Sequence, residues 1–135
     1  MSAANNLQTV KNIYEAFNRG DIDAILASCA EDVEWGVDVG TGELPWAGVR
    51  HGHAGVRQFF DLVAEHVDVD LVELDFPASE NQVAAVNRQE LTLKKNGQKV
   101  ICPEVVNLWT IGATGKVTRL STIMDPTQLL AAWRQ

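Results

Sequence analysis

Apolar residues recur at helical spacing over the first half of the chain. The apolar side chains of residues 6–19 lie along one stripe of a helix, and Asn5 or Asn6 is available as its N-cap. A second, shorter helix is expected after Asp21, and a third over about residues 53–66. The pattern therefore predicts three amphipathic helices before residue 67.

After residue 66 the apolar pattern changes from the helical period to the period of two that strands show. The alternating segments are residues 67–76, 82–94, 99–111 and 116–124. Alternation slips within the first segment, which predicts a β-bulge near Leu71. The second and third segments flank Asn96-Gly97, a strong hairpin signal.

The order of these elements predicts the fold class. One further strand lies around residues 31–40, before the third helix, and Asp125-Pro126 looks like the N-cap and first position of a short closing helix. Strands joined by tight turns form an antiparallel sheet, with the helices on one face. We therefore expect one α+β domain over residues 1–135, in which a curved antiparallel or mixed sheet wraps around three helices and encloses a cavity.

Charge and cysteine content narrow the function classes. The 135-residue chain carries 18 acidic and 11 basic side chains, a net charge of −7, which argues against nucleic acid and against an anionic membrane as partners. Cys29 and Cys102 fit no metal or redox spacing, which favours buried, reduced thiols. The start MSAANNLQTV lacks the features of a secretion signal, and no stretch approaches a membrane span. A cytoplasmic protein is expected.

A polar residue interrupts the apolar face of the strand at 99–111. Val105, Trp109 and Ile111 share that face, and Asn107 lies among them. An amide buried there without a partner costs about 1–3 kcal/mol. Asn107 is therefore expected to bond to the protein, to water or to a ligand.

One side of the strand at 82–94 is more apolar than the other, and we expect that side to face inward. Its members are Val83, Ala85, Asn87, Gln89, Leu91 and Leu93. Arg88 and Glu90 then fall on the outer face, where an ion pair is worth about 0–1 kcal/mol.

The opening strand leaves the direction of Asp38 undecided. Val33, Trp35, Val37 and Val39 form its inward set, and regular alternation sends Asp38 outward. A bulge at Gly36 would turn Asp38 to the side of Trp35 instead, because a glycine inside a strand often marks an extra residue.

Two further residue types invite a chemical interpretation. Tyr14 lies on the apolar stripe of the first helix, as a core residue or as a proton donor. His51-Gly52-His53 lacks a third ligand cluster, so a helix start is favoured over a metal site. No metal or cofactor is expected.

Three segments resemble a known family over nearly the whole chain. They are YEAFNRGDIDAILASCAEDVEW, PWAGVRHGHAGVRQFF and VVNLWTIGATGKVTRLSTIMD. They resemble the SnoaL-like branch of the nuclear transport factor two-like superfamily, which also holds ketosteroid isomerases, polyketide cyclases and limonene epoxide hydrolases. The resemblance implies a cone-shaped α+β barrel with a deep pocket, commonly dimeric through the outer face of its sheet.

The resemblance also implies positions for catalytic residues. Asp38 lies within one residue of the proton-shuttling carboxylate of the isomerases, and Tyr14 lies next to Ile13, where their oxyanion-donating tyrosine falls. Asn107 takes the place of their protonated acid, and of the histidine of many SnoaL-like members. Arg88-Gln89-Glu90 mimics the Arg-x-Asp pair of the epoxide hydrolases.

These inferences leave several functions open. One is a cofactor-independent isomerase, cyclase or dehydratase for a small apolar carbonyl compound, with Asp38 as base and with Asn107 and Tyr14 at the oxygen. Its pocket residues are Phe17, Trp35, Phe59, Val105 and Trp109. The alternatives are a non-catalytic binding protein for a small apolar molecule, a purely structural role, and an epoxide hydrolase that uses Arg88 and Glu90. A homodimer through the sheet face is expected in each case.

Overall fold

The computed structural model describes residues 2–37 and 42–135. Within these residues four helices accompany six strands, and the predicted α+β class is confirmed. In chain order the elements are α1 Ala3–Arg19, α2 Ile22–Ala27, β1 Cys29–Val37, β2 Gly48–His51, α3 Gly52–His66, β3 Val67–Asp75, β4 Gln82–Leu93, β5 Lys99–Ile111, β6 Val117–Ile123 and α4 Thr127–Trp133.

The described strands form one mixed sheet in the order β2-β1-β6-β5-β4-β3. β1 runs parallel to β6, whereas the other neighbouring pairs are antiparallel. β2 was not predicted, because its four residues alternate only twice and none is fully buried. The sheet is curved, and its inner face receives the helices.

The core lies between the helices and the inner face of the sheet. Each of the layers contributes completely buried valines: Val10, Val33, Val56, Val83, Val105 and Val117. Burial of such a side chain is worth about 1.5–3 kcal/mol, so the predicted amphipathic stripes supply much of the stability.

The first helix begins about one turn earlier than predicted. Ser2 is its N-cap, and the Ser2 hydroxyl accepts a hydrogen bond from the Asn5 N–H at 3.1 Å. Asn6, predicted as a possible cap, is buried, and its amide donates to the carbonyls of Ser79 (3.1 Å) and Glu80 (2.7 Å). Asn6 therefore ties α1 to the turn before β4.

The closing helix packs on β5, and polar contacts lie at its two ends. Pro126 is its N-cap where Asp125 was predicted, yet the Asp125 carboxylate still accepts from the Thr127 N–H at 3.0 Å. Arg134, just beyond α4, forms a two-pronged ion pair with Glu43. These contacts hold α4 at the edge of the interior.

Register shifts interrupt four strand pairs of the described sheet, and two of them lie along β4. The bulge predicted near Leu71 lies between Val72 and Asp75. An unpredicted bulge lies in β5 between Cys102 and Val105, where two residue steps of β4 face three residue steps of β5. No helix in the described ranges is long and apolar enough to span a membrane.

Gly36 is not a bulge, contrary to the possibility raised from the sequence. It pairs in register with Ser121 of β6 and with Val49 of β2. A Cβ atom at position 36 would lie 3.0 Å from the Leu120 carbonyl oxygen, which explains the glycine by close approach of β6. Alternation therefore continues unbroken through Val37.

Candidate functional site

A cavity of about 120 Å³ lies between α1, α3 and the inner face of the sheet. Its volume is close to the roughly 150 Å³ of an engineered apolar cavity that binds benzene, so it has room for about one ring. Its walls are mainly apolar and include Phe17, Trp46, Phe59, Phe60, Leu71 and Met124.

A cluster of polar groups lies on one wall of this cavity. The Asn107 amide of β5 donates to the Tyr14 hydroxyl of α1 at 2.9 Å, and the Trp109 indole N–H donates to the same oxygen at 3.2 Å. The Thr122 hydroxyl of β6 donates to the Asn107 side-chain oxygen at 2.8 Å. We call Tyr14, Asn107, Trp109 and Thr122 the hydroxyl–amide cluster. The prediction that Asn107 faces the interior and is hydrogen-bonded is confirmed.

One hydroxyl proton of the cluster has no hydrogen-bond acceptor within the cluster. The Tyr14 oxygen accepts two hydrogen bonds, and no described residue accepts the proton of its own hydroxyl. If the Asn107 amide turns over, Tyr14 donates to Asn107 and the Thr122 proton is left over instead. In both arrangements one O–H remains to donate to an acceptor in the cavity.

Burial sets the protonation state of Tyr14. Desolvation raises its pKa from 10.0 to about 12, and the hydrogen bonds from Asn107 and Trp109 oppose that rise. The phenol is therefore neutral at physiological pH, and it acts there as a hydrogen-bond donor.

None of the described cavity residues is an acid, a histidine, a lysine or an arginine. Asp38, the predicted base, lies outside the described residues. Val37, its neighbour in sequence, lines the cavity. The described wall thus supplies hydrogen-bond donors and apolar surface.

The predicted pocket residues divide into two groups. Phe17, Phe59 and Trp109 line the cavity as expected. Trp35 and Val105 do not. Trp35 is covered by Phe59 and Trp109, with ring centroids 5.8 and 5.5 Å away. Val105 is completely buried opposite Asn87, next to the bulge in β5.

Arg88 and Glu90, the alternative site, lie on the outer face of β4. Their side chains form an ion pair at 3.7 Å and remain partly exposed. Neither lines the cavity, so the geometry gives this pair no access to a ligand held there.

Sequence reasoning missed several residues of the cavity wall. The sequence analysis places Gln89 on the inward face without a role, and it gives Thr122 no role in the site. Trp46 comes from the loop after the undescribed residues, where the Arg50 guanidinium donates to the carbonyls of Pro45, Trp46 and Ala47. The three hydrogen bonds of Arg50 fix this loop and so the Trp46 ring. The sequence feature that could have identified Trp46 is the tryptophan of the PWAG segment.

The remaining candidate groups lie away from the cavity. Cys29 and Cys102 are buried free thiols, and burial raises the pKa of Cys29 to about 11. The His53 ring nitrogen Nε2 lies 3.0 Å from the Cys29 carbonyl oxygen, which anchors the start of α3. Over residues 2–37 and 42–135, no group of three or more His, Cys, Asp or Glu side chains is placed to hold a metal ion.

Comparisons with known proteins agree with this architecture. A family model described as the SnoaL-like domain matches residues 10–120. A nuclear transport factor two-like protein of Burkholderia xenovorans is 31% identical, with 98% of each chain covered and a TM-score of 0.87. TerC, co-crystallised with polyporic acid, is 26% identical, with 97% of this chain and 99% of that chain covered and a TM-score of 0.84.

A third solved structure shows the same fold at lower identity. It is a candidate polyketide cyclase of Xanthomonas campestris, 22% identical, with 96% of this chain and 97% of that chain covered and a TM-score of 0.82. No match to a curated protein was found.

Proposed function

The chain belongs to the SnoaL-like domain family, and from that premise we propose that it binds a small, largely apolar carbonyl compound in the cavity. The observation that carries this proposal is the surplus hydroxyl proton of the hydroxyl–amide cluster. A carbonyl oxygen is a neutral acceptor that such a proton suits, and its apolar frame suits the surrounding walls. TerC, which was co-crystallised with a small molecule, supports the same use of the fold.

The cluster would also polarise the carbonyl that it binds. Tyr14 is neutral and buried, so its O–H donates without first releasing hydration water. Asn107 and Trp109 hold the Tyr14 oxygen from two sides, and this fixes where the phenol points. Donors arranged in this way stabilise negative charge that develops on the ligand oxygen, and one such donor is typically worth about 10²–10³ in rate.

Catalysis of proton transfer is the second candidate function. In this reaction the Asp38 carboxylate removes a proton from the carbon next to the carbonyl, and the electron pair of that C–H bond moves into an enolate. The enolate oxygen takes the hydrogen bond from the cluster, and the proton then returns to another carbon or to the same one. The resemblance of Asp38 to the isomerase carboxylate motivates this candidate, whereas the unbroken alternation through the lining residue Val37 counts against it. The lack of an acid or histidine among the described lining residues favours binding alone.

Exchange of α-protons for deuterium separates the two functions. Acetophenone has one ring, a carbonyl and exchangeable methyl protons, so it serves as the probe. A base at Asp38 makes the protein accelerate exchange in deuterium oxide, measured by NMR, and Asp38→Asn lowers that rate by about 10²-fold or more. The matched control is Asp32→Asn, an exposed carboxylate on β1, which should leave exchange unchanged. Saturable binding without accelerated exchange would establish binding alone, and an unchanged rate in Asp38→Asn would remove Asp38 as the base.

The expected homodimer stays a prediction. Val86, Val106 and Ile123 pair across β4, β5 and β6 on the outer face, and Ile123 is 56% exposed. Sedimentation equilibrium would test the prediction, because a mass of one chain at high concentration contradicts it.

A further inference from the structure

Gln89 places a second polar group in the cavity. It lies on the inward face of β4 between buried Asn87 and buried Leu91, and it pairs with Leu71 of β3. Its neighbours along the cavity wall, Leu71 and Val69, are apolar. The Gln89 amide therefore stands alone on this part of the wall.

Within the described residues the Gln89 side chain has no hydrogen-bond partner. Asn87, two residues earlier, does not line the cavity. Its amide nitrogen donates to the carbonyls of Ala85 (3.1 Å) and Val105 (3.3 Å), and its buried Oδ1 has no partner among the described residues. Gln89 is only partly buried, so water can meet its amide when no ligand is bound, and a ligand can replace that water. The Gln89 amide is thus available to the cavity both as a donor and as an acceptor.

Gln89 and the hydroxyl–amide cluster are separated along the inner face of the sheet. Asn107 pairs with Ala85 on β4, and Gln89 is four residues further along that strand. Four residues of strand span about 13 Å between Cα atoms, and side chains that lean into the cavity shorten the gap between the polar groups. The lining residues other than Gln89 and the cluster are apolar.

We infer that Gln89 is the second polar anchor for the ligand. The ligand is then a ring compound with hydrogen-bonding oxygens on opposite sides: a carbonyl at the hydroxyl–amide cluster, and a hydroxyl or second carbonyl at Gln89. This inference rests on the proposed binding of a carbonyl compound and specifies its chemical class. Gln89 selects among ring compounds, and the cluster provides the contact that they share.

Two probes that differ by one hydroxyl group test the inference. Acetophenone carries only the carbonyl, and para-hydroxyacetophenone adds a hydroxyl on the opposite side of the ring. The dissociation constants of both are measured by NMR titration with wild type, Gln89→Leu and Gln82→Leu. The last is the matched control, because Gln82 lies on the same strand with its side chain exposed to solvent.

The expected result is a preference that depends on Gln89. Wild type and Gln82→Leu should bind the hydroxylated probe about tenfold more tightly than acetophenone, whereas Gln89→Leu should bind both alike. Gln89→Met keeps the length of the side chain without its amide, so it should also lose the preference, and it replaces Gln89→Leu if that variant does not fold.

The failure of this inference differs from failure of the proposed function. Equal binding of both probes by wild type, or a preference that survives in Gln89→Leu, would overturn the role of Gln89 while acetophenone binding stands. If acetophenone does not bind, or binds equally well to Tyr14→Phe, the proposed carbonyl site is wrong and the inference is overturned with it.

Discussion

The side-chain amide of Asn107 donates to the hydroxyl of Tyr14 at 2.9 Å, across 93 positions of sequence. This contact joins the first helix to the sheet at the wall of the cavity. It gives the site its chemical character, because the two side chains share their hydrogen bonds and leave one hydroxyl proton for a ligand. Several measurable consequences follow from the pairing.

Substitutions of Tyr14 and Asn107 should have non-additive effects on the free energy of unfolding. Tyr14→Phe leaves the Asn107 and Trp109 N–H groups without their acceptor, so we expect a loss of about 1–3 kcal/mol in the free energy of unfolding. Asn107→Leu should cost less in the Tyr14→Phe background than in wild type, with an interaction energy of about 0.5–3 kcal/mol. Urea denaturation of the four proteins measures this energy, and strict additivity would contradict the contact.

The alkaline pH dependence should reveal the burial of Tyr14. The pKa of its phenol is about 12 in the folded protein and 10.0 when exposed, so above pH 10 the unfolded chain releases this proton and the folded chain keeps it. The stability that Tyr14 contributes is therefore complete below pH 10 and is lost as pH rises towards 12. Between pH 9 and 11 the loss is roughly 1 kcal/mol.

Comparison with Tyr14→Phe isolates this effect. Burial also raises the pKa of Cys29 and Cys102, but both thiols titrate in both proteins and cancel in the difference. Tyr14 is the only tyrosine of the chain, so phenolate absorbance follows it directly. A folded-state midpoint near pH 10 would show that Tyr14 is exposed to water.

Much of the fold was predictable from the sequence, because amphipathic periodicity is strong in long elements. The bounds of β5, residues 99–111, agree with the prediction at both ends. The parallel pairing of β1 with β6 was not predictable in the same way. It depends on which strand meets β1 after the chain has passed through five other elements, and no local signal carries that information.

The candidate site was only partly predictable. Asn107 and Tyr14 stood out because each is polar on an otherwise apolar face, but their contact arises from the crossing of α1 over β5. Periodicity also identifies which residues point inward without separating cavity from packed core. Trp35 and Val105 point inward as predicted, and neighbouring side chains cover them before the cavity is reached.

The volume of the cavity should set a size limit on ligands. At about 120 Å³ it admits one ring, so wild type should bind acetophenone at least about tenfold more tightly than the two-ring acetonaphthone. Phe59→Ala removes a wall ring that packs 5.1 Å from the Phe60 ring, and it should reverse that order. Because Phe59 is only half-buried, we expect Phe59→Ala to lower the free energy of unfolding by about 1–3 kcal/mol, less than the loss at a fully buried phenylalanine.

Isothermal titration of both ketones into both proteins measures the size limit. The acetophenone affinity of Phe59→Ala provides the internal control, because the hydroxyl–amide cluster is intact in that variant. Equal binding of both ketones by wild type would mean that the walls open to admit larger ligands.

The most direct test is the infrared frequency of a bound carbonyl. Acetophenone labelled with ¹³C at the carbonyl carbon is bound to wild type and to Tyr14→Phe, and its C=O stretch is compared with that in hexane. A hydrogen bond from the cluster lowers this frequency, so we expect a clear shift in wild type and a smaller one in Tyr14→Phe. The same frequency in both proteins would show that the carbonyl does not meet the Tyr14–Asn107 pair.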